Sequence, residues 1–143
     1  MSGAASGAAS GAASANGSLS GEWDGIFNYP HHMPPNAFTA ILRDEAGFLT
    51  GETTESGEVH GDPTVLHAWI EGRRSGDAAH FVKSYDAAVR ACYVVQYAGT
   101  IAPDGNEISG RWDVPGVWSG TFIMVRKSGS AEAVEREAAE TIR

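Results

Sequence analysis

Lys83 is the side chain whose setting points most directly to chemistry. It lies between Phe81 and Tyr85 in a strand-like segment, where a period of two puts all three side chains on one face. An unpaired charge on an inward face costs several kcal/mol, and Glu52, in a period-two series with Thr54, is the expected partner. A Glu52–Lys83 pair inside a barrel would anchor a ligand or act as an acid–base couple. Alternatively this face meets solvent near a rim, because lysine is rarely buried.

A histidine on another strand is a further candidate for proton transfer. His67 shares a strand face with Val65 and Trp69, and inside a cavity it would serve as a general base near neutral pH. A structural or surface histidine is the commoner occurrence. The candidate catalytic residues are therefore His67, Glu52, Lys83 and Tyr85.

The other reactive side chains indicate neither a metal nor a cofactor. His31 and His32 are adjacent in a proline-rich loop, and neighbouring side chains on an extended segment point apart, which makes a poor chelate. Cys92 is the only cysteine, and the sequence contains neither a phosphate-binding glycine loop nor a Gly-x-Ser-x-Gly motif. The sequence thus predicts no metal site, no bound cofactor and no activated nucleophile.

Composition limits the classes of partner. The 18 acidic and 10 basic side chains give a net charge of −8, which argues against nucleic acid, because phosphate binding needs a basic stripe. No apolar run approaches the roughly 20 residues of a spanning helix, and the start lacks a signal-peptide pattern. A single cysteine precludes an intramolecular disulfide. These features indicate a cytoplasmic protein without nucleic-acid or membrane partners, and they leave homo-oligomerisation open.

Three segments with different compositions make up the chain. Residues 1–18 repeat Ser-Gly-Ala-Ala and predict a disordered leader or an added linker, and residues 130–143 predict a short charged helix or a solvated tail. Residues 19–129 are predicted to form an all-β, eight-stranded antiparallel up-and-down barrel, because closure removes exposed strand edges. Turn residues at hairpin spacing set the predicted strands at about Gly21–Tyr29, Ala37–Asp44, Phe48–Glu55, Val65–Gly72, Ala79–Tyr85, Cys92–Ile101, Glu107–Val114 and Thr121–Lys127.

Alternation along these strands gathers aromatic side chains on one face of the predicted barrel. Phe27, Phe81, Tyr97, Trp112 and Phe122 fall in such series. An eight-stranded barrel is just wide enough to hold one small ligand or to be filled by its own side chains. The sequence leaves both a ligand cavity and a solid core open.

The phrase Ser-Gly-x-Trp-Asp occurs twice, ending at Asp24 and at Asp113. Each copy has the pattern of a strand that approaches another backbone at glycine and buries an aromatic ring two residues later. In an eight-stranded meander the first and seventh strands both flank the eighth. Trp23 and Trp112 are therefore expected to point inward on either side of Phe122, Met124 and Arg126.

The opening Leu19-Ser20-Gly21-Glu22-Trp23 resembles the Gly-x-Trp start of calycin barrels, which include lipocalins, fatty-acid-binding proteins and the avidin group. The resemblance implies a small-ligand barrel over residues 19–127. It also implies that Arg126 on the last strand packs across Trp23 in a cation–π contact. The chain lacks the disulfides and secretory signal usual in lipocalins, and a biotin site cannot be placed on its residues.

These observations together predict a barrel that binds a small, partly apolar molecule in its cavity. An alternative is a cofactor-free isomerase, cyclase or lyase that uses the same cavity, and a third is a packed structural barrel. Trp69 would add apolar surface if its face points inward. The candidate ligand-binding residues are Trp23, Tyr85, Tyr97, Trp112, Lys83 and Arg126.

Overall fold

The computed structural model describes residues 18–59, 61–86 and 94–127, which form one closed antiparallel barrel. Each strand pairs with the next along the chain, and the eighth pairs with the first. The predicted fold class and meander order are confirmed. The strands are β1 Gly21–Asn28, β2 Asn36–Glu45, β3 Phe48–Val59, β4 Asp62–Ser75, β5 Ala78–Tyr85, β6 Val94–Ile101, β7 Glu107–Val114 and β8 Trp118–Arg126.

One strand boundary differs clearly from the prediction. The segment Ser56–Pro63, expected as a loop, extends the β3–β4 hairpin instead: Ser56 pairs with Val65 and Glu58 pairs with Pro63. A proline is tolerated there because it lies at the start of β4, where one missing backbone donor costs little. The predicted leader up to residue 17, the tail 130–143, Cys92 and Tyr93 lie outside the described residues.

Side chains alternate strictly between the interior and the outer surface. In β1, for example, Trp23, Gly25 and Phe27 are buried while their neighbours are exposed, because successive strand side chains project to opposite faces. The interior is a continuous hydrophobic core that includes residues from all eight strands. Lys83, Glu55, Thr53 and Arg126 are the buried polar or charged residues of the described chain.

The two Ser-Gly-x-Trp-Asp copies flank the closing strand as predicted. Trp23 lies opposite Arg126 across the β1–β8 seam, and Trp112 lies opposite Gly120 across the β7–β8 pair. Their exposed fractions are 0% and 3%. The glycine of the second copy makes the expected close approach, since a Cβ on Gly110 would collide with the backbone of the neighbouring β6 strand.

The two ends of the barrel are built differently. At the closed end, short turns join β2 to β3, β4 to β5 and β6 to β7, and the first of these has positive φ at Ala46 and Gly47. At the opposite, aromatic end, residues 29–35 join β1 to β2, and Tyr29, Tyr85 and Trp118 are partly buried against the core. Among the described residues, no helix has the length and apolar character needed to cross a membrane.

Candidate functional site

A buried ion pair lies inside the barrel near its aromatic end. The Lys83 side chain is directed inward and the residue is 1% exposed, and its Nζ lies 3.1 Å from Oε1 of Glu55. The expectation that Lys83 needs an inward partner is therefore correct, and its alternative, a solvent-facing lysine, is wrong. Bringing two charges out of water costs several kcal/mol per ion before their attraction and hydrogen bonds offset it. Such a pair restricts what else the interior can accommodate.

The predicted partner of Lys83 is wrong by three residues. Glu52 lies on the outer face of β3, where its side chain is 42% exposed and faces Arg43 at 3.9 Å. The inward positions of β3 are Leu49, Gly51, Thr53 and Glu55. Thr50, Glu52 and Thr54 share one face, as predicted, but that face meets solvent. Glu52 is thus placed outside the barrel interior.

Glu55 is held by three neighbouring side chains. The Tyr85 hydroxyl lies 2.9 Å from Oε1 and 3.0 Å from Oε2 of the carboxylate, to which it donates. Asn36 donates from Nδ2 to Oε2 at 3.2 Å, and Lys83 donates to Oε1. Both carboxylate oxygens therefore have donors, as a buried carboxylate requires.

Four aromatic rings surround the Lys83 ammonium. Its Nζ lies 4.7 Å from the Phe27 centroid, 5.0 Å from Tyr85, 5.2 Å from Phe38 and 5.3 Å from Tyr97. Ring faces attract a cation, by about 0.5–2 kcal/mol per contact. The Phe38 ring reaches this position because Gly25, on the adjacent strand, has no side chain to block it.

A small recess opens at the aromatic end, next to the ion pair. Its volume is about 30 Å³, which is room for one or two water molecules. The barrel interior is therefore largely filled by its own side chains. The residues that line the recess are Phe27, Tyr29, Tyr85, Val95, Tyr97, Trp112, Val114 and Trp118.

The rings around this recess pack edge to face. Trp112 makes T-shaped contacts with Tyr29 at 5.7 Å and with Trp118 at 5.9 Å between centroids, and Tyr29 lies 5.0 Å from Trp118. The Trp112 indole donates from Nε1 to the Asn28 carbonyl at 3.0 Å. Trp112 is thereby fixed, whereas Tyr29 and Trp118 are only partly buried.

Tyr97 forms part of the wall between the recess and the deeper core. Its ring stacks on Phe81, with centroids 4.9 Å apart and planes at 9°, and meets Phe122 edge-on at 4.9 Å. Burial raises the pKa of the Tyr97 phenol well above its ordinary value, and the charges of Glu55 and Tyr29 raise it further. Tyr97 therefore keeps its hydroxyl proton throughout the physiological pH range.

A second buried polar side chain lies one inward position from Glu55 on β3. Thr53 is 1% exposed, and its Oγ1 has no hydrogen-bond partner among the described residues. Small residues face it from the two adjacent strands, Ala40 on β2 and Ala68 on β4. The β3 wall of the interior is therefore polar at two successive positions, while the β6–β8 walls are aromatic.

Arg126 and Trp23 lie at the closed end, away from the recess. Arg126 spans the Trp23 ring at 4.6 Å, which confirms the expected cation–π contact. Its guanidinium donates to the carbonyls of Ser18, Ser20 and Gly105 and to the side chain of Asn106, over 2.6–3.1 Å. Burial lowers the pKa of Arg126, against the opposing charges of Asp104 and Asp44. Four of its five N–H groups are thus used within the protein.

The remaining candidates point outward. His67 is exposed on the outer face of β4, and Trp69 on the same face is 58% exposed. The predicted role of His67 as a cavity base is wrong, because the inward positions of β4 are Leu66, Ala68 and Ile70. Trp69 likewise contributes no surface to the interior.

Two larger grooves lie on the outer surface of the barrel. One, of about 590 Å³, crosses β8, β1, β2, β3 and β4 and includes Ile26, Val65 and Val125. The other, of about 530 Å³, includes Phe48, Val82 and Arg111 on β3, β5 and β7. These side chains belong to outward faces of their strands, but Glu55 and Phe38 also line the first groove, which therefore reaches the barrel wall beside the ion pair.

The described residues offer no cluster of three or more His, Cys, Asp or Glu side chains that could hold a metal ion. Polar chemistry at the aromatic end therefore depends on Glu55, Lys83, Tyr85, Tyr97 and Asn36.

The fold and site together define a closed eight-stranded barrel with a buried ion pair beneath an aromatic recess. Comparison of the chain with protein-family models, with curated proteins and with solved structures finds no match.

Proposed function

We propose that the aromatic end of the barrel binds a small, partly apolar molecule. The observation that carries this proposal is the Glu55–Lys83–Tyr85 network buried directly beside the aromatic recess. Replacing a buried ion pair by hydrophobic residues is often neutral or stabilising, so stability alone is a weak reason for such a pair. Buried titratable groups beside a concave aromatic surface are typical of binding and catalytic sites.

The size of the recess determines how a ligand enters. A volume of about 30 Å³ is far below the several hundred Å³ of a typical ligand pocket. Tyr29 and Trp118 are partly buried and lie at the rim, so rotation of their side chains enlarges the recess without breaking any strand pairing. Ligand binding would therefore exchange aromatic contacts within the protein for contacts with the ligand.

The calycin-like architecture supports the same proposal by analogy. An eight-stranded barrel has room for one ligand at most along its axis, and the cation–π closure of Arg126 on Trp23 blocks one end. Access along the barrel axis is thereby restricted to the aromatic end. Fold alone does not imply function, so the proposal depends on the site rather than on the barrel.

Native mass spectrometry of the protein purified from its own host tests this proposal. A small molecule should co-purify with the wild type and be lost in Trp118→Leu, which removes a rim ring. Trp69→Leu is the matched control, because Trp69 lies on the outer surface, and it should retain the molecule. The proposal fails if no small molecule co-purifies and no member of a fragment library perturbs the recess, or if both variants lose the ligand equally.

The geometry of the ion pair favours one alternative, acid–base catalysis without a cofactor. Tyr85 contacts both oxygens of Glu55 while Lys83 contacts one, so a proton can pass among three groups at hydrogen-bond distance. Glu55 replaces Glu52 and His67 as the candidate acid or base for an isomerase, cyclase or lyase. In that case Glu55→Gln abolishes turnover of the co-purified compound but leaves its binding within a few-fold. Retained turnover would exclude this alternative.

A further inference from the structure

The Tyr97 hydroxyl is the polar group at the recess that the protein leaves unused. The side-chain hydrogen bonds found among the described residues at this end join Asn36, Lys83 and Tyr85 to Glu55 and Trp112 to Asn28, and none includes the Tyr97 hydroxyl, while the Tyr97 side chain lines the recess. The other polar groups there have partners: Trp112 donates to Asn28, and Tyr85 donates to Glu55. This hydroxyl is therefore left to the contents of the recess, where the acceptor of a ligand can take the place of water as its partner.

The ring of Tyr97 is held in place before any ligand arrives. Phe81 stacks on one face, Phe122 meets it edge-on, and the Lys83 ammonium lies 5.3 Å from the centroid. The Tyr97 side chain also lines the recess at the aromatic end of the barrel. A donor with a fixed position gives more selectivity than a mobile one, because less freedom is lost on binding.

The charge balance of the site restricts the ligand to a neutral molecule. Glu55 and Lys83 neutralise each other at 3.1 Å, and each is already enclosed by donors or rings. An anionic ligand at the Tyr97 hydroxyl would meet the field of Glu55, and a cationic ligand would meet the ammonium of Lys83. Either charge would also lose its hydration inside an aromatic enclosure, at a cost that no free counter-charge offsets.

We infer that the aromatic end selects a small, neutral, planar molecule with a hydrogen-bond acceptor, received by the Tyr97 hydroxyl. The acceptor is a carbonyl oxygen or a ring nitrogen, and the planar body packs between Trp112 and the rim rings Tyr29 and Trp118. This inference rests on the proposed function and adds the chemical class of ligand to it. A planar body is favoured because the side chains that enclose the recess are aromatic rings, against whose faces and edges a flat molecule packs well.

Four small probes of similar size test the inference: benzamide, benzoate, benzylamine and toluene. Binding is measured from tryptophan fluorescence and by calorimetry, on wild type, Tyr97→Phe and Thr50→Val. Benzamide should bind wild type most tightly, with the two charged probes roughly 10-fold or more weaker. Tyr97→Phe should weaken benzamide by roughly 2- to 10-fold, the effect of one neutral hydrogen bond, and leave toluene unchanged. Thr50→Val, which removes a hydroxyl from the outer face of β3, should leave the benzamide-to-toluene ratio unchanged.

The outcomes distinguish this inference from the proposed function. If benzoate or benzylamine binds the recess better than benzamide, or if Tyr97→Phe weakens benzamide and toluene equally, the inference is wrong and the binding site stands. If none of the four probes nor any larger planar fragment perturbs the tryptophans of wild type, the proposed function is wrong and the inference fails with it. If the Tyr97 hydroxyl binds only a water molecule that no probe displaces, the inference is also wrong.

Discussion

The two ends of this barrel each bury one cation, and they do so by opposite means. At the closed end Arg126 is satisfied by three backbone carbonyls and one side-chain amide, all neutral acceptors. At the aromatic end Lys83 is satisfied by the carboxylate of Glu55 and by aromatic rings. In the first arrangement, the planar guanidinium of arginine cross-links separate segments of the chain through several hydrogen bonds. The second encloses an ion pair that a ligand or a proton can alter.

Under the proposed function, the closed end serves stability and the aromatic end serves ligand binding. Carbonyl and amide acceptors do not titrate, so the hydrogen bonds of Arg126 at the closed end do not depend on the protonation of their acceptors. A carboxylate, an ammonium and a phenol in contact respond to any group that enters. Four changes, taken from the largest expected effect to the smallest, test this contrast.

The largest effect is expected at the aromatic end, from Lys83→Met. Removing the ammonium leaves Glu55 buried without its counter-charge and should cost about 3–5 kcal/mol of unfolding free energy. The double variant Lys83→Met/Glu55→Gln should recover most of that loss, because no net charge remains inside. Urea denaturation followed by circular dichroism measures both, with Lys127→Met as an exposed control. If the double variant is no more stable than Lys83→Met, the loss of unfolding free energy in Lys83→Met does not come from the unpaired charge of Glu55.

At the closed end, Arg126→Met should cost about 3 kcal/mol, equivalent to one or two charged hydrogen bonds, since water can reach some of the released carbonyls. No second substitution is expected to rescue it, because its partners are backbone groups. Urea denaturation measures the loss, and Arg111→Met, at an exposed position of β7, serves as the control. A second-site change that restores full stability would contradict the contrast between the two ends.

A third change tests a titrating side chain at the closed end, Asp44. Burial alone would raise the pKa of Asp44, but hydrogen bonds from Arg74, Leu19 and Gly47 outweigh it and hold that pKa below its ordinary value of 3.8. The carboxylate therefore stabilises the fold above pH 4, and this contribution is lost as the pH falls through the folded-state pKa. Asp44→Asn should cost about 1–2 kcal/mol at pH 7.

The pH dependence of that loss is the decisive measurement. The difference in unfolding free energy between wild type and Asp44→Asn should shrink as the pH falls below about 4. Asp24→Asn, at an exposed position of β1, should show no such trend. A difference that stays constant down to pH 2.5 would mean that Asp44 acts through its shape rather than its charge.

The smallest effect is expected from Tyr97→Phe, within about 1 kcal/mol at pH 7. Because the pKa of Tyr97 is raised in the folded state, the neutral phenol stabilises the fold below pH 10, and this advantage is lost as the pH rises further. Above pH 10 the wild type should lose stability relative to Tyr97→Phe by up to about 1.4 kcal/mol per pH unit. Parallel stability curves for the two proteins from pH 9 to 11 would contradict this.

The barrel itself could be predicted from the sequence because its signals are local. Alternation and turn residues define each strand, and the two Ser-Gly-x-Trp-Asp copies mark β1 and β7, the strands on either side of β8. An inward Lys83 was one of two alternatives that the period of two allowed, and the Trp23–Arg126 contact was implied by the calycin resemblance. Strand ends were less certain, since the polar segment 56–63 has no strong alternation and pairs only because the hairpin continues.

The site was harder to predict because a period of two does not say which face is inward. On β3 the two faces carry similar polar residues, and only Leu49 and Gly51 mark the inner one. Choosing the other face gave Glu52 in place of Glu55. The same uncertainty on β4 left His67 and Trp69 as candidates for the interior, and the structure bears out the surface alternative for both. Asn36 and Trp118 were missed because they begin strands whose predicted bounds started later.

The clamp that Arg126 makes on Ser18 and Ser20 also has a consequence for biosynthesis. These contacts join residues 108 and 106 positions apart, as does the hydrogen bond from Trp112 to Asn28 across 84 positions. The first strand therefore stays unpaired on one side until the ribosome has released the last one. During that interval an open sheet exposes an edge that other nascent chains can join. Pairing of β8 with β1 is thus the step that closes the barrel and removes the aggregation-prone edge of the nascent sheet.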